Sequence, residues 1–103
     1  MADRFCVVLT TVPNAKLGEK LAKGLVKESL AACVNVVGGV VSHYRWQSRL
    51  HKDRELLLII KTQTRLLPKL MRFIKKNHSA QVPEIISLPI KEGLPAYLKW
   101  LAS

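Results

Sequence analysis

The sequence predicts an α+β fold of order β-α-β-β-α-β closed by a short helix, and three observations carry that prediction. Short β-branched apolar runs alternate with stretches whose leucines recur at helical spacing. One long valine-rich segment is followed, across a polar connection, by a second apolar one, as in a hairpin. A length of 103 residues leaves room for a single core.

The elements follow in order. Phe5 to Thr11 is a β-branched apolar run halted by Pro13, which marks a buried first strand. Asn14 then offers an oxygen to cap a helix in which Leu17, Leu21 and Leu25, with Ala22 and Val26, repeat at helical spacing, while Lys16, Lys20, Lys23 and Lys27 hold the other side. From Cys33 to Trp46 the chain is valine-rich, and Gly38-Gly39 in its middle predicts a bulge or sharp bend in one long strand. Gln47 to Asp53 is polar and basic and joins Trp46 to the apolar strand Glu55 to Thr62. Leu67, Leu70, Met71 and Ile74 form the apolar stripe of a second helix, with Pro68 in its first turn and Arg65, Lys69, Arg72, Lys75 and Lys76 facing away. Pro83 opens a last strand, Glu84 to Ile90, in which Ile86, Leu88 and Ile90 share one face and Pro89 points to a sheet edge. Leu94, Tyr97, Leu98 and Leu101 finish the chain as a short helix after Gly93. This order is the split βαβ, a ferredoxin-like sandwich with both long helices on one face of a four-stranded sheet. Neither a linker nor an internal repeat interrupts it, so residues 1–103 read as one domain.

The third strand has consequences beyond topology. Its five consecutive apolar residues, Leu56 to Ile60, place oily side chains on both faces of the sheet, and helices cover only one of them. A bare apolar face of that kind normally marks an interface, so the expectation is burial against copies of the same chain.

Composition removes several classes. The start, Met1-Ala2-Asp3-Arg4 followed by the short apolar run Phe5 to Leu9, does not read as the basic start, longer apolar core and cleavage site of a secretory signal, and the longest stretch free of Asp, Glu, Lys and Arg, Ser29 to Tyr44, is too short and too polar to span a bilayer. Cys6 and Cys33 are separated by twenty-six residues and lie in apolar sequence, as packed reduced thiols do, so a cytoplasmic setting is expected and no membrane partner. Seventeen Lys and Arg against seven Asp and Glu give a formal charge of +10. Nine of the cations fall on the outward stripes of the two helices, where solvated charge ordinarily collects. An RNA reader of this topology needs aromatics on its central strands, where this chain has Leu-Leu-Leu-Ile-Ile. Nucleic acid is therefore not the expected partner, and only nonspecific, salt-sensitive attraction to phosphate is left. No nucleophile with a base, no paired carboxylates and no Gly-rich phosphate loop are found, so the chain reads as non-enzymatic. A paired-cysteine copper-transfer loop is also absent, since Thr10-Thr11-Val12-Pro13 follows the first strand.

Six segments then carry a resemblance: Val8-Leu9-Thr10-Thr11-Val12-Pro13, Leu30-Ala31-Ala32-Cys33-Val34-Asn35, Tyr44-Arg45-Trp46, Ile60-Lys61-Thr62, Val82-Pro83-Glu84-Ile85 and Tyr97-Leu98-Lys99-Trp100-Leu101. In this order they resemble the CutA family of divalent-cation tolerance proteins over almost the whole chain. The resemblance implies a ferredoxin-like subunit, a tight homotrimer with sheets facing its centre, a cytoplasmic setting and a role in tolerance of copper or another divalent cation. It also points to metal ligands in the Thr-Thr-Val-Pro region and in the segment holding His78 and, six residues on, Glu84. Imidazole suits copper, nickel or zinc, and a carboxylate completes or orients such a site. Thr10 stands where some members place Cys, Ser79-Ala80 where Pro-Tyr is common and Ser48-Arg49 where Gly-Lys is common, so weak binding is expected.

Each candidate has a plainer reading beside it. His78 is equally placed to meet the last carbonyls of the second helix. Cys33 reads as a core thiol. Tyr44, Trp46 and Lys61 are candidates to line an intersubunit cleft, or else the aromatics pack an interface while Lys61 pairs with a carboxylate such as Glu84. His43 and His51 bracket the hairpin, either as adventitious metal ligands or, as is usual at a hairpin tip, as solvated polar residues. The leading expectation is a trimer with weak divalent-cation sites at subunit boundaries. The alternative is a regulatory or scaffolding trimer, similar in shape to the nitrogen-regulatory PII trimers, whose clefts take a small anion or a protein.

Overall fold

The computed structural model describes residues 3–103. Its elements run β1 (Phe5–Val12), α1 (Ala15–Lys27), β2 (Cys33–Trp46), β3 (Arg49–Gln63), a 3-10 turn (Thr64–Leu66), α2 (Leu67–Asn77), β4 (Ile86–Pro89) and α3 (Pro95–Leu101). The four strands form one antiparallel sheet in the order β2-β3-β1-β4, the ferredoxin-like arrangement that the sequence predicts.

Strand periodicity sorts the core. Cys6, Val8, Thr10 and Val12 of β1 pair with Thr62, Ile60, Leu58 and Leu56 of β3, and all but the half-buried Leu56 are sealed beneath the helices. Leu21 and Leu25 of α1 and Leu70 and Ile74 of α2 complete that core with no exposed surface. Asn14 caps α1 as its sequence predicts, its Oδ1 accepting the Leu17 amide at 2.8 Å. A side-chain carbon at Gly24 would lie 2.5 Å from Phe73 Cζ, so glycine there is what lets α1 and α2 approach. Met71, assigned by spacing to the buried stripe, is 39 % exposed, because the stripe of this short helix is narrowed to Leu70 and Ile74.

The opposite face carries Val7 and Leu9 of β1, Val37 of β2, Leu57 and Ile59 of β3, and Ile86 and Leu88 of β4, which share a side by their registers. Val37, Ile86 and Leu88 are 41, 51 and 52 % exposed, and the others are half-buried. Cys33 belongs to this side and not to the core: it pairs with Lys61, is half-buried, and its thiol lies 3.9 Å from Asn35 Oδ1. Only Cys6 is a core thiol, and burial raises its pKa, partly opposed by a hydrogen bond with Thr64.

Two boundaries differ from the sequence prediction. The stretch Gln47–Asp53 is no long connection: Gln47 and Ser48 alone turn the hairpin, both in the left-handed region at φ 52° and 65°, and β3 begins at Arg49. Its polar residues are those of an exposed ribbon, for which composition and strand structure do not conflict. The last strand shrinks from Glu84–Ile90 to Ile86–Pro89: it pairs with β1 only from Cys6 to Leu9, and beyond that the Thr11 carbonyl is met by the His78 ring instead.

Candidate functional site

A one-residue slip in the hairpin decides which side chains reach the site. Up to Val37, which faces Leu57, the odd residues of β2 share the open side of the sheet; from Val40, which faces Glu55, the even residues do. Gly38 and Gly39 take up the bulge, Gly39 at φ 77°, a backbone that glycine adopts without strain. Because of this phase change Ser42, Tyr44 and Trp46 turn toward the open side, opposite Asp53, His51 and Arg49. An unbroken ladder would have put His43 and Arg45 there instead.

The second wall is the segment between α2 and β4. The His78 amide ends α2 by bonding the Ile74 carbonyl at 2.8 Å, but its ring leaves the helix altogether. Nε2 lies 2.7 Å from the Thr11 carbonyl, and Nδ1 accepts the Ala80 amide at 2.9 Å. A carbonyl only accepts, so Nε2 carries the proton and Nδ1 the lone pair. His78 is thus the clasp that fastens its segment to β1 beyond the end of β4, rather than a cap on the helix carbonyls.

Between the walls opens a cavity of about 620 Å³, lined by Thr11 of β1, by Tyr44, Trp46 and Glu55 of the hairpin, and by His78 and Glu84 of the segment after α2. Tyr44 is fixed from two directions: its hydroxyl donates to Asp53, and its ring stacks on His51 at 5.1 Å between centroids and 12° between planes. The carboxylate of Asp53 that accepts this proton, with desolvation and the charges of Asp53 and Glu55 adding, raises the Tyr44 pKa.

The structure therefore brings Tyr44, Trp46, His78 and Glu84 to one cavity and leaves Lys61 out of it. Lys61 donates to Asn35 at 2.8 Å on the open sheet face and does not pair with Glu84, since both lie in different parts of the fold. Thr10 points into the core with no exposed surface, so the residue at that position faces away from the cavity, and Thr11 lines it. His51 is a stacking partner of Tyr44, whereas His43 is exposed and, although turned to the other side of the hairpin by register, borders the cavity. Glu55 was missed by sequence reasoning, while Thr11 lies in the Thr-Thr-Val-Pro region that the resemblance pointed to; period-two alternation places both on the open side, but only the hairpin register brings Glu55 beside the segment 80–84. Among the described residues, no three His, Cys, Asp or Glu side chains converge as a metal site.

Comparison with known proteins agrees with this architecture. The model of the CutA1 divalent ion tolerance protein family matches residues 6–103. The chain is 53 % identical over 95 residues to the divalent-cation tolerance protein CutA of Thermus thermophilus, covering 92 % of each chain. It is 50 % identical to the chloroplastic CutA of Arabidopsis thaliana over 92 % of this chain and 52 % of that one, so it spans about half the length of the plant relative. Solved structures of the Thermus thermophilus protein and of CutA1 from Oryza sativa superpose with TM-scores of 0.93 each, at 51 and 48 % identity, covering 95 and 97 % of this chain and 95 and 92 % of theirs. No helix among the described residues is long and apolar enough to cross a membrane. With the family model covering nearly every residue and the fold superposing on solved members, this chain belongs to the CutA1 divalent ion tolerance family.

Proposed function

We propose that this chain serves divalent-metal tolerance, copper included, as a non-enzymatic homotrimer of the cytoplasm that binds the cation weakly near its subunit boundaries through His78 with help from Glu84. The observation that carries the reading is the His78 ring. Its proton sits on Nε2 against the Thr11 carbonyl, the kind of backbone bond that typically orients a metal-binding imidazole, which leaves the Nδ1 lone pair as the donor. That lone pair accepts the Ala80 amide, so a metal ion has to displace a hydrogen bond before it binds. Glu84 lines the same cavity and supplies a carboxylate. One imidazole and one carboxylate are two ligands, and a partner subunit or water completes the set, which accounts for weak binding. The apolar open face supports assembly, because three of its residues are more than two-fifths exposed in the single chain.

Isothermal titration with copper(II) tests the metal half. The heat is expected to fall sharply in His78→Ala and partly in Glu84→Gln, with folding checked by circular dichroism. Electron paramagnetic resonance of the copper-loaded natural chain is expected to show coupling to imidazole nitrogen, a readout that needs no variant. An unchanged isotherm together with an all-oxygen spectrum removes His78 from the proposal. The anion-binding alternative draws no support from the cavity, whose lining includes no Lys or Arg.

A further inference from the structure

The seventeen cations and seven anions of this chain are not mixed over its surface. Strand register continues the helix side out along the hairpin: Val41, His43 and Arg45 of β2 pair with Arg54, Lys52 and Leu50 of β3, on the side that Leu58 and Ile60 take further along, and all six are exposed. Asp53 and Glu55 fall on the opposite side. With the nine cations of the helix layer, the helix side therefore holds twelve Lys and Arg against Glu19 and Glu28, and the rest of the chain holds five against five. The whole formal +10 sits on one side. Within it the pattern is regular. Lys16, Lys20, Lys23 and Lys27 recur every three or four residues as a straight exposed stripe on α1, about 16 Å long at helical rise. Lys69, Arg72, Lys75 and Lys76 are exposed on α2, which approaches α1 at Gly24 and Phe73. Like charges crowded in this way repel one another, and an anion laid along them relieves the repulsion. The assembly proposed above covers the open face, so it leaves this layer turned outward.

We propose that the helix side is a docking face for double-helical nucleic acid, which it grips by the phosphates without reading sequence. A duplex presents a dense, straight array of charge, one per about 1.7 Å of axis, that a stripe of lysines meets along its length, and each Lys or Arg that neutralises a phosphate releases counterions. Single strands are held by stacking their bases on aromatic rings, and this side exposes no Phe, Tyr or Trp, Phe73 being half-buried between the helices. An anionic bilayer is the other extended surface of the same charge. Helices that lie on a bilayer sink an apolar stripe among the lipids, whereas Leu21, Leu25, Leu70 and Ile74 are occupied in the core with no exposed surface, and Val26 and Met71 are the large apolar side chains left exposed on the two helices. What composition leaves as unplaced attraction to phosphate thus acquires a place and an orientation. The proposal uses neither His78 nor Glu84, so it and the metal reading stand or fall separately.

The test is fluorescence anisotropy of a labelled DNA duplex, about 25 base pairs long, titrated with the full chain in EDTA so that divalent metal plays no part. Saturable binding is expected at about 50 mM salt, equal for duplexes of unrelated sequence, with log K falling linearly in log salt at a slope of roughly −3.5 or steeper, the value for four phosphates met by one lysine stripe. A Lys20→Gln, Lys23→Gln double variant and an Arg72→Gln, Lys76→Gln double variant are each expected to weaken binding on the order of tenfold and to make the slope shallower by about 2. Glutamine keeps the helix propensity of these positions. The control is Lys91→Gln, Lys99→Gln, which loses the same net charge from outside the helix side and is expected to change binding by less than about twofold. Equal weakening in the control and the helix variants overturns the proposal, because attraction is then set by net charge without a face. On the natural chain, absence of saturable duplex binding, a single strand of the same sequence binding as tightly as the duplex, or phosphatidylserine–phosphatidylcholine vesicles retaining the chain at a salt concentration that releases the duplex overturns it without recourse to any variant.

Discussion

Two threonines in the core carry the same side chain in nearly the same degree of burial, 0 % exposed for Thr10 and 1 % for Thr62, and differ in one hydrogen bond. The Thr62 hydroxyl donates to the Leu30 carbonyl at 2.7 Å, while the Thr10 hydroxyl is buried without a partner among the described residues. Valine matches threonine in shape and suits a strand, so Thr→Val changes little but the hydroxyl. At position 10 it removes a group whose unpaired burial costs about 1–3 kcal/mol, and stability is expected to rise by roughly 1 kcal/mol or more. At position 62 it removes a bond worth about 1 kcal/mol and strands the Leu30 carbonyl, for a loss of about 1–3 kcal/mol. For a domain of this size each kcal/mol moves the melting temperature by roughly 4–8 °C, so Thr10→Val melts higher than the natural chain and Thr62→Val lower. Scanning calorimetry at one fixed protein concentration reads both, the concentration being held because assembly makes melting depend on it. Shifts of the same sign in the two variants refute the reasoning, since then the hydroxyl's partner is not what sets the energy.

Other expectations follow from the hairpin, the titrating groups and the open face. Ser48→Gly relieves a non-glycine residue held at φ 65° and raises stability by about 1 kcal/mol in the same calorimetric assay, less whatever the freer unfolded chain takes back. Tyr44 and Cys6 both have raised pKa values, Tyr44 chiefly through its bond to Asp53 and Cys6 through burial. The folded chain therefore keeps these protons longer than the unfolded chain does. Their contribution is complete below the unfolded values, about 10 and about 8.5, and is lost as pH rises through the folded ones. Ultraviolet titration is expected to show Tyr44 ionising at lower pH in Asp53→Asn. Ile59→Lys puts a charge in the middle of the open apolar face; light scattering is expected to find three-chain particles for the natural protein and single chains for the variant, and an intact trimer in the variant would place the interface elsewhere.

Local patterns declared most of the fold. The Leu21–Leu25 and Leu70–Ile74 repeats, the Asn14 cap and the β1 and β3 runs depend on neighbours three or four residues apart or on strict alternation, and such patterns survive in one dimension. The hairpin turn did not declare itself, because Gln47 and Ser48 lack the Asn-Gly signature of two-residue turns, and pairing along two long strands holds them in place. The site was half visible. Gly38-Gly39 announced a bulge, but the consequence of a bulge is a change of phase, and which residues then face the cavity depends on where the ladder resumes. His78 was visible as a residue type and invisible as a clasp, since its partner Thr11 is sixty-seven positions away.

Net charge, the loudest feature of the sequence, describes one side of the molecule and not the other. The nine helix cations are all exposed, on elements that cover one face of the sheet, whereas Glu55 and Glu84 serve a cavity on the other. The long axis of the chain is 44 Å, several times the Debye length of about 8 Å at physiological salt, so distant charges are heard faintly across it and near ones clearly. A ligand drawn by the whole +10 and a ligand held by the cavity are consequently different ligands. The first is a polyanion, met by the helix layer. The second is chosen at short range by the side chains that line the cavity, so the local balance of charge there, and not the sign of the whole chain, is what bears on it.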